Sequence, residues 1–124
     1  MFNEIVGSLP LKWQSRNLDN MLGVKVEISR YIDNSQPGWV ECMFIDAWGN
    51  PHSFVEKVPI VTSENLDASS SYPQSGIIAC QVVEKRDANG REVVKIETDT
   101  PWHVESKAGE SCFDVLPDQL IEFD

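Results

Sequence analysis

An alternation of apolar and polar residues constrains the fold of this chain more than any other feature. It runs through residues 24–32, where four apolar residues alternate with polar ones: Val24, Val26, Ile28 and Ile32. A period of two places every second side chain on one face of an extended chain, which is typical of a half-buried strand. No stretch repeats apolar residues at helical spacing over three turns, so the pattern predicts a β protein.

Turn residues divide the rest of the chain into further short strands. The segment 39–45 is apolar on both faces, which indicates a central position in a sheet or closure into a barrel. Other strands are predicted over 53–61, 76–85, 91–98 and 101–106, with a last strand from 112 that Pro117 ends before a short turn or tail. Together they predict a single antiparallel all-β domain over 22–124, a small barrel or barrel-like sandwich of about six to seven strands.

The segments between the predicted strands carry weaker signals. Pro59 has no amide proton for a ladder hydrogen bond, so we expect that end of the third strand to lie at a sheet edge or a bulge. The polar segment 62–76 is expected to be a surface loop in which Ser63 caps one helical turn. Residues 1–21 show no clean period and contain Pro10, so we interpret them as an irregular N-terminal arm.

Two short segments share one arrangement of turn residues. "DAWGN" at 46–50 and "DANGR" at 87–91 carry Asp, Ala and Gly at the same offsets, each between predicted strands. Asp favours the start of a type I turn, and Gly supplies a left-handed residue after it. We therefore predict two matching hairpin turns with positive φ at Gly49 and Gly90.

Two patches pair a tryptophan with a histidine. Trp48 and His52 surround the first of these turns, and Trp102 precedes His103 in "TPWHVES". Each indole has two interpretations. Trp48 either folds back over the sheet or awaits a partner; Trp102 either points inward with Val104, leaving His103 in solvent, or forms the rim of a ligand site. These four residues, Trp48, His52, Trp102 and His103, are our candidates for partner or ligand contact.

The sequence offers no pattern for catalysis or for a cofactor. The three cysteines, Cys42, Cys80 and Cys112, are odd in number and lack C-x-x-C spacing, which argues against a disulfide framework and a zinc site and favours a reduced, cytoplasmic protein. The two histidines lack metal-ligand spacing. Neither a G-x-S-x-G nucleophile motif nor a Gly-rich phosphate loop occurs. We therefore expect no enzyme, no metal and no cofactor.

The charge balance limits the classes of partner. Twenty Asp and Glu residues face ten Lys and Arg residues, giving a formal net charge of −10. Such a chain is a poor ligand for nucleic acid, whose phosphates require neutralisation, and for anionic membrane surfaces. No apolar run approaches the ~18 residues of a membrane helix. The charge suits either steered encounter with a basic protein or solubility alone.

One resemblance accompanies these patterns. The run "QPGWVECMFIDAWGNPHSFVEKVPIVT", with "YPQSGIIACQVVE" and "PWHVES" downstream, resembles a family of small uncharacterised bacterial proteins. At fold level that family is similar to the second, β-barrel domain of elongation factor Tu. The resemblance implies a barrel over roughly residues 22–120 and no particular activity, because one barrel fold hosts many functions. The GTP-binding motifs of the elongation factor do not occur here, so it implies no GTPase.

These observations predict a non-catalytic binding module in the bacterial cytoplasm that acts through a protein partner. Its sharper form is an immunity-like inhibitor of a basic toxin, which rests on small size and acidity. The alternatives are a small-molecule-binding barrel, which requires a cavity, and an enzyme of unrecognised type. A cavity lined by Trp48, Trp102 and His103 would favour the small-molecule alternative.

Overall fold

A computed structural model describes residues 21–123, and it confirms the all-β prediction. Seven strands form one sheet in which every pairing is antiparallel. The strands are β1 (Met21–Asp33), β2 (Trp39–Ile45), β3 (Pro51–Lys57), β4 (Gln74–Ala88), β5 (Arg91–Glu97), β6 (Cys112–Val115) and β7 (Leu120–Phe123). The predicted N-terminal arm lies outside the described residues, apart from Met21, which begins β1 instead of ending the arm.

The long central strand β1 organises the sheet. The strand order is β3-β2-β1-β4-β5-β6, and β7 also pairs with β1. Residues 22–28 of β1 pair with β4, while β2 takes residues 27–33 and β7 takes residues 21–24. Because β4 pairs with β1 through its first half and with β5 through its second, the sheet curls into a half-barrel.

Backbone hydrogen bonds draw the two ends of the curled sheet together. The amide of Ala47, after β2, donates to the carbonyl of Asp114 in β6 at 2.8 Å, and the amide of Lys107 donates to Ser53 in β3 at 2.8 Å. Between these ends the rings of Phe44, Phe54 and Phe113 pack with centroids 5.3–5.8 Å apart. Burying each such ring stabilises the fold by about 1.5–3 kcal/mol, so this cluster helps to hold the two ends of the half-barrel together.

The alternation in β1 is correct up to Ile28 and wrong beyond it. Val24, Val26 and Ile28 are buried, as predicted, but Ile32 is exposed. A register shift between Ile28 and Arg30 marks a bulge, and Tyr31 packs against the core in place of Ile32. A bulge adds one residue to the strand and therefore reverses which side chains face inward.

The third predicted strand is too long. β3 ends at Lys57, and Val58–Val61 form a single helical turn, α1, with Pro59 in its first turn. Val58 and Val61 are both buried, and helical spacing brings residues three apart to one side, whereas strand spacing would separate them. Proline suits the first turn of a helix because its amide needs no partner there. No helical turn follows Ser63.

Two other segments also differ from prediction. The segment 101–106 is a turn followed by irregular chain, not a strand, because the backbone reverses there with a positive φ of 54° at His103. After Pro117, where a short turn or tail was expected, a 3-10 turn over Pro117–Gln119 is followed by the strand β7, which was not predicted. Within residues 21–123, no helix is long and apolar enough to cross a membrane.

The two glycine turns confirm the predicted backbone angles but do not match each other. Gly49 has φ of 86° and Gly90 has φ of 82°. In the second turn Asn89 is also left-handed, with φ of 53°, so Asn89 and Gly90 form a two-residue turn of type I′ character. In the first turn Gly49 alone has positive φ, and the amide of Asp46 donates to Asn50 across three residues.

Candidate functional site

The four candidate side chains lie in two different places. Trp48 and His52 belong to the β2–β3 hairpin, whereas Trp102 and His103 belong to the loop after β5. An apolar groove of about 660 Å³ is lined by Trp102 and by none of the other three. The cavity that would have joined Trp48, Trp102 and His103 is therefore not formed within the described residues.

Trp48 folds back against the sheet, which was the first of its two interpretations. Its indole Nε1 donates to Oδ2 of Asp114 at 3.0 Å, and the guanidinium of Arg91 lies 5.6 Å from its ring centroid. Arg86 also donates to Asp114, through Nη2 at 2.8 Å. Because its N–H group bonds to Asp114 in β6 and its ring lies under Arg91 of β5, the indole links the hairpin to both strands. The residue is nevertheless 40% exposed.

His52 is held between carboxylates on an aromatic floor. Its Nε2 lies 2.8 Å from Oδ2 of Asp46 and its Nδ1 lies 3.5 Å from Oε1 of Glu110. The ring also packs edge-on against Phe113, with centroids 4.8 Å apart. Burial disfavours the charged form of Asp46, but hydrogen bonds from His52 and from the amides of Asn50 and Trp48 outweigh it and lower its pKa.

The chemistry open to this polar cluster is limited by its neighbours. An Asp–His pair orients an imidazole, as in many general bases, but a nucleophile must stand within hydrogen-bond reach of the ring. Among the described residues, the ring nitrogens of His52 contact Asp46 and Glu110 and no hydroxyl or thiol. The cluster therefore fixes the hairpin turn. The carboxylate of Asp46 accepts hydrogen bonds from the backbone amides of Trp48 and Asn50, each at 2.9 Å.

The cysteines stand apart from both places. Cys42 and Cys80 are buried, and this burial raises the pKa of each thiol to about 12. Cys112 is exposed at the start of β6. Within residues 21–123, no group of three or more His, Cys, Asp and Glu side chains is placed to hold a metal ion.

The groove lies where the outer face of the sheet meets α1 and the loop of Trp102. Its apolar lining comes from parts of the chain that are distant in sequence: Met21, Pro59, Ile60, Ile77, Trp102 and Phe123. Three residues with hydroxyl side chains, Thr62, Ser63 and Ser75, also line the groove. Exposed apolar surface of this kind marks interaction sites more often than ordinary surface does.

A glycine permits the close packing of the groove floor. Gly23 of β1 pairs with Ala79 of β4 and with Ile121 of β7, between the strands that carry Ile77 and Phe123. A Cβ on Gly23 would lie 2.2 Å from Cγ2 of Ile77 and 2.9 Å from Cε1 of Phe123. Ile77 and Phe123 can approach each other over this position only because it carries no side chain.

The loop that carries Trp102 is closed at its base by buried hydrogen bonds. The amide of Val104 donates to the carbonyl of Thr98 at 3.0 Å, and Oγ1 of Thr98 donates to the carbonyl of Val104 at 2.7 Å. Thr98 and Val104 are both fully buried. Nearer the tip, the amide of His103 donates to Asp99 at 2.8 Å. These hydrogen bonds order the loop that carries the indole of Trp102.

The structure corrects our inward interpretation of Trp102. Val104 is buried and His103 is exposed, as expected, but Trp102 is 49% exposed and lines the groove. Strand alternation does not apply because this segment is a turn, so residues two apart need not share a face. His103 faces solvent, with Nδ1 3.3 Å from Oδ1 of Asp99.

Carboxylates outnumber cations on the segments that line the groove. Glu64 is exposed directly after Ser63, and Asp99 and Glu105 are exposed on either side of Trp102. Two basic residues adjoin the same elements: Lys57 directly precedes α1, and Lys25 is the cross-strand partner of Ile77. The groove lining is thus apolar apart from three hydroxyl residues, and the segments that flank it carry more carboxylates than cations.

Sequence reasoning identified Trp102 but missed the rest of the groove. Ile60 was assigned to a strand, Ile77 to a strand without a face, and Phe123 to the short turn or tail after Pro117. No local signal could have joined them, because they meet only through strand register and the path of α1. No protein-family model matches the chain, and no curated protein or solved structure matches it significantly.

Proposed function

We propose that the protein is a non-catalytic binding module that receives a protein partner in the groove beside Trp102. The observation that carries this proposal is the half-exposed indole, held on a closed loop above an apolar floor. Tryptophan is enriched among the residues that contribute most to binding at protein interfaces, and such residues cluster in well-packed, desolvated pockets. Loops that are ordered before binding lose little entropy on association, which favours affinity.

Charge indicates the kind of partner. The net charge of −10 and the carboxylates on the segments that flank the groove favour a basic protein, whose encounter would be steered by long-range attraction. A second copy of this chain would itself carry a net charge of −10, so mutual repulsion disfavours self-association. An immunity-like inhibitor of a basic toxin is the sharper form of this proposal, supported by the acidity and the small size of the chain.

We place this interaction in the bacterial cytoplasm. The odd number and wide spacing of the three cysteines, Cys42, Cys80 and Cys112, suit a reducing compartment. The likeness to the second domain of elongation factor Tu is part of the same proposal and concerns architecture alone.

The test is partner capture with matched variants. Wild type, Trp102→Ala and Val83→Ala are each immobilised in native extract after their folding has been checked by circular dichroism. Val83 is a suitable control because it is exposed but does not line the groove. We expect one protein to be retained by wild type and Val83→Ala and lost from Trp102→Ala. The same proteins on all three would contradict the proposal.

The captured protein then gives a second test with purified components. Long-range attraction is screened beyond ~10 Å at 0.1 M salt, so the association rate should fall steeply as salt is raised while the dissociation rate changes little. A flat association profile, or an acidic partner, would contradict the electrostatic part of the proposal.

A small-molecule ligand is the second candidate, favoured by the size of the groove. Its volume of about 660 Å³ lies within the range of small-molecule sites, roughly 300–1,000 Å³, and three hydroxyl groups are available for orientation. Native mass spectrometry of the protein from its own cells tests this candidate. A bound molecule of one defined mass, lost in Ile77→Trp, would support it, and unliganded protein would contradict it.

A further inference from the structure

We propose that the segment bound in the groove presents an arginine to Trp102, with a large apolar side chain beside it for the groove floor. This inference rests on the proposed function and gives the bound segment its chemistry. It is argued from the tryptophans, from the carboxylates of the Trp102 loop and from the lining of the groove.

The other described tryptophans show what an exposed indole attracts in this protein. The ammonium of Lys57 lies 5.7 Å from the ring centroid of Trp39, and the guanidinium of Arg91 lies 5.6 Å from that of Trp48. Within residues 21–123, no Lys or Arg lies over Trp102, which is the most exposed of the three. A cation from a partner could occupy this ring face.

The loop of Trp102 also supplies anions for that cation. The side chain of Asp99 is 59% exposed, and its contact with His103 is an exposed pair at 3.3 Å, which contributes little and exchanges easily. Glu105 is exposed further along the same segment. A cation over Trp102 would therefore meet carboxylates on the loop that carries the indole.

Arginine fits this combination better than lysine does. Its planar guanidinium stacks on an indole while its N–H groups still point in the ring plane toward carboxylates. A lysine ammonium is a compact, strongly hydrated charge that gains less from stacking. The Trp48 site shows the stacking element within the chain, because the Arg91 guanidinium lies over the indole while Arg91 donates to the carbonyl of Ala47.

The groove floor determines what lies next to the arginine. Ile60, Ile77 and Phe123 line the same groove as the indole, and its volume of about 660 Å³ can accommodate a leucine-sized side chain. Such a side chain gains about 25 cal/mol for each Å² of apolar surface that it buries. The recognised pattern is therefore an arginine with a leucine-like neighbour.

The experiment uses defined peptides and the complete chain. A short peptide of alternating Arg and Leu is titrated into isotopically labelled protein, with Lys–Leu and Glu–Leu peptides of equal length as comparisons. The readout is the indole N–H resonance of Trp102, assigned by its absence from Trp102→Leu. We expect this resonance to shift when the Arg–Leu peptide binds. The Lys–Leu peptide should bind with about tenfold weaker affinity, and the Glu–Leu peptide should cause no shift.

Variants separate recognition from folding. Asp99→Asn should weaken the binding of the Arg–Leu peptide severalfold at low salt. Trp102→Leu should weaken it about tenfold; because this variant lacks the indole, its affinity is measured from the chemical shifts of other residues. Val83→Ala should bind as wild type does, and unchanged melting temperatures confirm that each variant is folded. Equal affinity for Arg–Leu and Lys–Leu, or absence of Arg–Leu binding at millimolar concentration, overturns the inference.

The outcomes also separate this inference from the proposed function. If a captured partner depends on Trp102 but the peptides show no preference for arginine, the groove is a binding site and only its proposed ligand chemistry is wrong. If capture does not depend on Trp102, the proposed function is wrong.

Discussion

The indole nitrogen of Trp48 donates a hydrogen bond to the carboxylate of Asp114, 66 residues further along the chain, at 3.0 Å. This bond joins the β2–β3 hairpin to β6, the last strand on the other side of the half-barrel. It runs beside the backbone bond from Ala47 to the carbonyl of Asp114. One residue of β6 thus anchors the hairpin through both its main chain and its side chain.

Trp48→Phe should destabilise the protein by about 1–2 kcal/mol, because it removes the indole donor while keeping an aromatic ring. The measurement is the free energy of unfolding in urea. A double-mutant cycle with Asp114→Ala, which removes the acceptor, isolates the bond, and we expect a coupling of about 0.5–1.5 kcal/mol between the two positions. Strictly additive effects would show that this contact contributes nothing to closure.

Thr98→Val should destabilise the protein by about 1–3 kcal/mol, because the buried carbonyl of Val104 would lose its hydroxyl donor without gaining another. Thr100→Val is the matched control on the same loop, since Thr100 is exposed and should change stability by less than about 0.5 kcal/mol. Chemical denaturation of both variants gives the comparison. Similar costs for the two would mean that the loop is not closed through Thr98.

Gly23→Ala should destabilise the protein by about 1–3 kcal/mol, because the added Cβ collides with Ile77 and Phe123. Truncating one neighbour should relieve that collision. We therefore expect Gly23→Ala to cost less in an Ile77→Ala background than in the wild-type background, as measured by thermal unfolding. If Gly23→Ala destabilised both backgrounds equally, a collision with Ile77 would not be the cause of the destabilisation.

Acid should weaken the anchor formed by Asp114. Burial favours the neutral form of this carboxyl, but hydrogen bonds from Arg86 and Trp48 outweigh it and hold its pKa below the ordinary value of 3.8. A lowered folded-state pKa contributes stability that is present above the ordinary value and is lost as pH falls through the folded-state value. The stability gap between wild type and Asp114→Asn should therefore stay nearly constant above about pH 5 and narrow as the pH falls through 3.8 and below.

The control for this pH dependence is Asp87→Asn, because Asp87 is exposed and takes part in none of the described ion pairs. Its stability relative to wild type should stay nearly constant over the same range, measured by urea titration at each pH. A gap for Asp114→Asn that does not narrow in acid would contradict the proposed charge–charge anchoring by Arg86.

Local patterns in the sequence were enough to predict the class of fold and the positions of several turns between the strands. The alternation of Val24, Val26 and Ile28 places one face of β1 in the core, because side chains on an extended chain alternate whatever lies around them. Gly49 and Gly90 adopt the expected positive φ, because only a residue without Cβ enters that region at little cost.

Only the tertiary structure decided where the functional surface lies. The groove forms because strand register brings Ile77 and Phe123 together over Gly23, and because α1 turns Val58 and Val61 toward the core while Ile60 lines the groove. These residues are distant in sequence, so no local period links them. The sequence left the exposure of Trp102 and the docking of Trp48 open for the same reason. The direction of a side chain in a turn depends on the residues that the curled sheet brings next to it.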